Sequence, residues 1–180
     1  MRSYRTGPTT PRLTLRAMVP DDAAAFHALN SNAEVMRYTH EPLSKSVEIA
    51  RERIRAYPDF DTIGYGRWAC VLRETGAVIG FCGLKWLDDL EETDVGYRFL
   101  PEHWGRGLAT EACAASIRFG FEEIGLERII GLTLPENQGS IRVLEKCGLE
   151  FEGEIEFDGI TARRFAIDRA RFEALRDTAR

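Results

Sequence analysis

Pro101-Glu102-His103-Trp104-Gly105-Arg106-Gly107-Leu108-Ala109-Thr110-Glu111-Ala112 is the stretch on which the reading of this chain turns. A run with strand character, Val95-Gly96-Tyr97-Arg98-Phe99, leads into it. A helical pattern of Ala109, Ala112, Cys113, Ser116 and Ile117 leads out. Two glycines flank an arginine in between. Glycine there permits backbone dihedrals closed to other residues and lets an anion approach the main chain. The first turn of the helix adds unpaired N–H groups and the positive end of the helix dipole. Strand, Gly-Arg-Gly turn and helix N-terminus together read as a phosphate cradle. A dinucleotide fingerprint needs a third glycine where Thr110 stands, and a Walker loop needs Gly-Lys-Ser/Thr; neither is present. A purely structural glycine turn is the alternative.

Working outward, residues 1–11 read as a flexible start, and residues 12–180 as one domain. Arg12-Leu13-Thr14-Leu15-Arg16 alternates as a strand. Pro20-Asp21-Asp22 opens an Ala-rich helix to about Leu29, with carboxylates where the dipole prefers them. A short segment around Glu34–Tyr38 follows, then a helix from Ser44 to about Ala56. Strands at Trp68–Leu72 and Ala77–Leu84 join through Glu74-Thr75-Gly76, a hairpin signal. An acidic turn, Asp88-Asp89-Leu90-Glu91-Glu92, precedes a strand at Thr93–Phe99. The long helix spans about Gly105–Ile124 and stops at Gly125. A strand at Arg128–Leu134, a short helix at Ser140–Lys146, strands near Phe151–Phe157 and Thr161–Ile167 around Asp158-Gly159, and a helical stretch at Asp168–Leu175 complete the chain. Early helices, an antiparallel meander and a β-α-β-α-β passage predict an α/β domain of α+β type. Its single twisted, mixed and mostly antiparallel sheet has six to seven strands, flanked by about four helices.

At 180 residues the chain is long enough to bury a real core. Hydrophobic residues at 44% and charged residues at 29% argue against disorder. A net charge of −5 gives no global attraction to nucleic acid or acidic membranes, and no apolar run reaches the length of a bilayer span. The start lacks a secretory apolar region, so the expected location is cytoplasmic. Cys70, Cys82, Cys113 and Cys147 form no C-x-x-C pair and sit in apolar elements, which reads as small buried hydrophobes. His27, His40 and His103 lack ligand spacing, so no metal is expected.

Two further pieces bear on function. Gly96 marks a bulge or close approach in its strand. If that strand parts from its neighbour, main-chain groups of Tyr97 and Phe99 are free to pair with an amide-bearing ligand as an added strand. Plain core packing is the equal alternative. The other piece is Asn137-Gln138-Gly139-Ser140-Ile141-Arg142-Val143-Leu144-Glu145-Lys146-Cys147-Gly148, whose polar start reads either as a helix cap or as a set of groups facing the cradle.

The pattern P-E-x-W-G-x-G-x-A-T-E-A at Pro101–Ala112, followed by N-x-x-S-x-x-V-L-E-K-x-G at Asn137–Gly148, resembles the Gcn5-related N-acetyltransferase (GNAT) superfamily. Within it, the chain looks like the ribosomal-protein N-terminal acetyltransferases of the RimJ/RimL type. The likeness covers roughly Arg12 to Ile167. It implies acetyl-CoA as acetyl donor and co-substrate. Gly105, Arg106, Gly107, Leu108, Ala109 and Thr110 would offer N–H groups to its pyrophosphate. Tyr97 and Phe99 would align the pantetheine arm through the main chain, and Asn137 would hold it from the other side. Trp104 stands where many members of the superfamily carry Gln or Arg, a departure that RimJ/RimL-like chains share.

The resemblance implies transfer of an acetyl group to a primary amine by direct attack in a ternary complex. The acceptor is a protein N-terminus or a small-molecule amine. Asp94 is the first candidate for the base, where similar proteins often carry an acidic residue, and Glu92 is the second; both also read as solvated turn charges. Ser140 is the candidate proton donor to the leaving thiolate, or simply a helix cap. Residues around Asn30–Glu41 and the turn at Asp158-Gly159 are the expected specificity elements, and the acidic turn at Asp88–Glu92 reads first as a solvated turn and second as an attraction for a cationic acceptor. A non-catalytic acyl-CoA-binding module is the competing reading. Domains of this kind can form homodimers, although nothing in the residues shows it.

Overall fold

The structure, a computed structural model, describes residues 2–178. Residue 1 of the expected flexible start and residues 179–180 of the expected domain lie outside them. Alternation and turn chemistry produce the strands β1 (Thr6–Thr9), β2 (Leu13–Arg16), β3 (Arg67–Leu72), β4 (Val78–Leu87), β5 (Glu92–Phe99), β6 (Arg128–Thr133), β7 (Glu150–Phe157) and β8 (Ile160–Asp168). They form one sheet in the order β1-β2-β3-β4-β5-β6-β8-β7. All neighbours are antiparallel except β5 and β6, which run parallel and share a single residue pair, Asp94 with Ile130. The mixed α/β architecture is as expected, with eight strands among the described residues where six to seven are expected, and seven helices where about four are expected.

The additional strand is β1, in the segment expected to be flexible. Thr6-Gly7-Pro8-Thr9 has no alternation to announce it. What holds it is remote: Trp68 is fully buried and its indole N–H donates to the Tyr4 carbonyl at 2.8 Å. A Cβ on Gly7 would lie 2.7 Å from that ring, so only glycine lets the edge strand lie on it.

The helices are α1 (Ala23–Ser31), α2 (Ala33–Met36), α3 (Val47–Arg55), α4 (Asp59–Thr62), α5 (Leu108–Phe119), α6 (Gln138–Lys146) and α7 (Arg169–Thr178). The expected long helix of 105–124 is shorter at its start. A 3₁₀ turn at Pro101–His103 and the glycine turn precede α5, a π turn follows at Gly120–Ile124, and Gly125 stops the chain at φ 85°. Buried Leu108, Ala112, Cys113 and Ile117 of α5 pack with Cys82, Leu84, Val95 and Phe99 of β4 and β5 into the main core. Cys70, Cys82 and Cys113 are buried free thiols, and burial pushes the Cys82 thiol up to about 12.

Asp22 is a first-turn carboxylate, as expected, and it is turned back and buried. It accepts from both Arg16 guanidinium nitrogens at 2.7 and 2.9 Å and from the Val19 N–H at 2.8 Å. Burial alone would raise its pKa, but Arg16 and Val19 hold the carboxyl below its ordinary value. A depressed folded pKa contributes stability above the unfolded carboxylate pKa and loses it as pH falls through the folded one. Asp22→Asn is therefore expected to lower unfolding free energy by about 1.5–3 kcal/mol at neutral pH. The gap to wild type should close in acid, and equal melting temperatures at pH 7 would refute the assignment.

Candidate functional site

Beyond Asp94 the strands β5 and β6 part. Asp94 itself explains where: its Oδ1 accepts from the Leu132 N–H at 3.2 Å, so a side chain takes the main-chain donor that a continuing ladder would use. The Leu100 N–H bonds the Ile79 carbonyl of β4, which by alternation turns the N–H and C=O groups of Tyr97 and Phe99 toward the gap. The Phe99 carbonyl is taken there by the Trp104 indole N–H at 2.7 Å. Both main-chain groups of Tyr97 and the N–H of Phe99 remain to face the opening.

The cradle abuts this gap. Gly105 and Gly107 have φ of 70° and 75°, the left-handed region that a side chain disfavours. Gly107 caps α5 without any side-chain hydrogen bond, and the first helical bond is Glu111 N–H to the Gly107 carbonyl at 3.0 Å. The N–H groups of Leu108, Ala109 and Thr110 precede that bond and point out of the helix end. A latch holds the turn. Arg12 donates to the Arg106 carbonyl at 2.8 Å and to Glu111 at 2.6 Å, and Glu111 also accepts from Thr10 at 2.6 Å.

A cavity of about 520 Å³ joins these pieces, lined by Tyr97, Phe99, Gly105, Gly107, Leu108, Ala109, Thr110, Asn137 and Ser140 among others. Nine expected residues thus meet in one cleft. Arg106 and Asp94 do not line it. Arg37, Arg142 and Lys146 border the cleft and add positive charge suited to a polyanion. A phosphate-bearing ligand fits this donor set.

Asn137 caps α6, its Oδ1 accepting from the Ser140 N–H at 3.1 Å. Ser140 is thus relieved of capping, and its hydroxyl lies 2.9 Å from the Tyr97 hydroxyl. Sequence reading gave Tyr97 a main-chain role only; its side chain was the missed group. Burial holds the Tyr97 hydroxyl far above its ordinary pKa, so it stays protonated.

The carboxylates are placed differently. Asp94 is 6% exposed and its Oδ2 takes Arg67 Nη2 at 2.6 Å. Burial raises its pKa while Arg67 opposes the rise. Glu92 is paired with Arg128 at 2.8 Å and Arg164 at 2.7 Å, at the far end of β5. Of the expected specificity segment, Glu34, Val35, Arg37 and Tyr38 line the cleft, whereas the turn at Asp158-Gly159 and the acidic turn at Asp88–Glu92 do not.

Comparison with known proteins places this geometry. The acetyltransferase (GNAT) domain profile matches residues 12–150. The Bacillus subtilis N-acetyltransferase YoaA is 35% identical over 146 residues, covering 80% of this chain and 82% of that protein. The spermidine N(1)-acetyltransferase of Escherichia coli is 27% identical over 150 residues, covering 82% of this chain and 78% of that one. The crystal structure of a GNAT-family acetyltransferase from Bacillus anthracis superposes with a TM-score of 0.76 at 27% identity, covering 89% of this chain and 96% of that chain. A parted parallel strand pair, a left-handed glycine turn and an uncapped helix start are thus set in a fold and a sequence shared with these proteins, and the chain belongs to the GNAT family of acetyltransferases.

Proposed function

We propose that the protein transfers an acetyl group from acetyl-CoA to a primary amine, with both substrates bound at once. The observation that carries this reading is the convergence of free main-chain donors on one cleft, at the α5 start and along β5. The cradle N–H groups hold the pyrophosphate. Tyr97 and Phe99 offer the pantetheine arm strand-like bonds, and Asn137, at the cap of α6, lines the same cleft with an amide N–H₂ that the cap does not use. The Tyr97 N–H, open to the cleft, is the candidate donor to the charge that develops on the thioester oxygen. Attack by the neutral amine forms the C–N bond and breaks the C–S bond. The Tyr97–Ser140 hydroxyl pair passes a proton to the departing sulfur and recovers one from the nitrogen, which sheds its proton as the amide forms. Holding amine and thioester together supplies much of the acceleration by itself.

Calorimetric titration with acetyl-CoA, beside thiol release against amines and N-terminal peptides, tests this reading. Binding with release supports it. No binding would refute it, and binding without release from any acceptor would favour a non-catalytic module. Ser140→Ala is expected to leave acetyl-CoA affinity within about twofold and to slow single-turnover thiol release by about 10–100-fold, the lower range for a proton donor because Tyr97 remains. Equal single-turnover rates would leave Ser140 a packing role only.

A further inference from the structure

On the face of the sheet opposite α5 and α6 lies a second cavity of about 360 Å³. Its ionisable lining, apart from Tyr57, is Arg5, Arg53, Arg67, Lys85 and Arg98 against one carboxylate, Glu41. In a chain of net charge −5, such a concentration of cations is a local construction. Arg98 borders both cavities, which joins this one to the cleft across β5.

The cations are not all neutralised. Arg98 is paired with Glu41 at 3.0 Å and Arg5 with Asp61 at 2.6 Å. Arg67 bonds Asp94 through Nη2, and among the described residues its Nη1 has no partner. Lys85 and Arg53 form no ion pair among the described residues. Register explains the position of Arg67. Arg67, Gly83 and Gly96 lie in one row across β3, β4 and β5. A Cβ on Gly96 would strike the Arg67 guanidinium, so glycine there lets the fork lie flat on the strand beside the gap. The Phe81 ring backs both Arg67 and Arg98, with guanidinium carbons 5.8 and 5.2 Å from its centroid. Lys85 sits opposite Asp94 in the β4–β5 register, on the same face.

We infer that the acceptor is a primary amine that itself carries an anionic group, a carboxylate or a phosphate, held by Arg67, Lys85 and Arg53 while its nitrogen enters the gap. The inference rests on the acetyl-transfer reading and names its substrate class. A planar guanidinium with a free edge suits either oxyanion. A polyamine would meet five cations against one carboxylate, Glu41, which Arg98 already holds, unlike the substrate named for the Escherichia coli relative. The acidic turn that would attract such a cation lines neither cavity. In the reaction the C–N bond forms, the C–S bond breaks, and a proton from the amine replaces the acetyl group on sulfur.

The test is thiol release by the full chain with acetyl-CoA and L-glutamate, glucosamine 6-phosphate, spermidine or kanamycin, with acetyl-CoA binding followed by calorimetry. The expected result is kcat/KM at least about tenfold higher for an anionic amine than for either polycation, the size of one charged hydrogen bond. Preference between glutamate and the sugar phosphate tells carboxylate from phosphate. Lys85→Glu should raise KM for the anionic amine about tenfold with a smaller change in kcat, and added salt should erode the wild-type preference. Faster turnover of spermidine or kanamycin, or an unchanged KM in Lys85→Glu, overturns the inference while the acetyltransferase stands. Absence of acetyl-CoA binding, or of release from every amine, overturns the acetyl-transfer reading and this inference with it.

Discussion

Gly107→Val is expected to weaken acetyl-CoA binding at least a hundredfold while leaving the protein folded. Gly107 has φ 75°, and a Cβ there would meet only an Arg12 nitrogen, at 3.6 Å. The objection to a side chain is therefore conformational and not a matter of space. A left-handed residue costs about 1–2 kcal/mol with an ordinary side chain, and a β-branched one more. The turn can escape that strain by flipping to negative φ, which swings the first N–H groups of α5 out of line. Each charge-assisted bond lost is worth about 1.5–3 kcal/mol, so losing one or two reaches a hundredfold. Gly107→Asn gives the discriminating comparison, since asparagine tolerates the left-handed region and should retain most of the affinity. Calorimetry reports both, with circular dichroism as the control for folding. Wild-type affinity in the valine variant would remove the cradle from the binding site.

The cradle could be read from residues because its physics is local: two glycines, a strand before and a helix after. The same holds for the turn at Asp158-Gly159, where both residues have positive φ, and for the hairpin at Gly76. Strand β1 was invisible because its support, Trp68, comes from far along the chain. The expected specificity turn at Asp158-Gly159 lies away from both cavities, since nothing local to a hairpin says which face of the sheet it will overlook. Arg67 carried no motif at all. Its meaning comes from register, which sets it in a row with Gly83 and Gly96 and brings it to Asp94, 27 positions later. A weak signal did exist: the two glycines face each other in paired strands, and such a flat patch invites something to lie on it.

The cationic cavity also bears on how the amine loses its proton. An alkylammonium is mostly protonated at neutral pH. On the acceptor reading proposed above, the Arg67 guanidinium beside the gap would disfavour the charged form, so the proton would pass to solvent more readily. That would reduce the demand for a dedicated carboxylate base beside the nitrogen.

Asp94→Asn is expected to be the most damaging single-atom change in the protein, and for a reason other than base catalysis. Asp94 lines neither cavity, and both of its oxygens are engaged, one by Leu132 and one by Arg67. We expect it to act as a positioning residue, pinning the point where β5 and β6 part and fixing the guanidinium beside the gap. Removing its charge leaves Arg67 largely buried without a counter-ion. The expected loss of stability is about 3 kcal/mol, toward the low end for a broken buried pair because that guanidinium is partly exposed. Turnover should fall by about 100-fold, the scale of a misplacement of roughly 1 Å. The pH profile separates this role from that of a base. A missing base matters less as pH approaches the acceptor's own pKa, so its deficit shrinks in alkali. A misplaced guanidinium gives the same deficit throughout. Measured from pH 6 to 10 on the folded variant, a constant ratio of wild-type to variant kcat/KM is the expected result. A ratio that falls tenfold or more across that range would make Asp94 the proton acceptor.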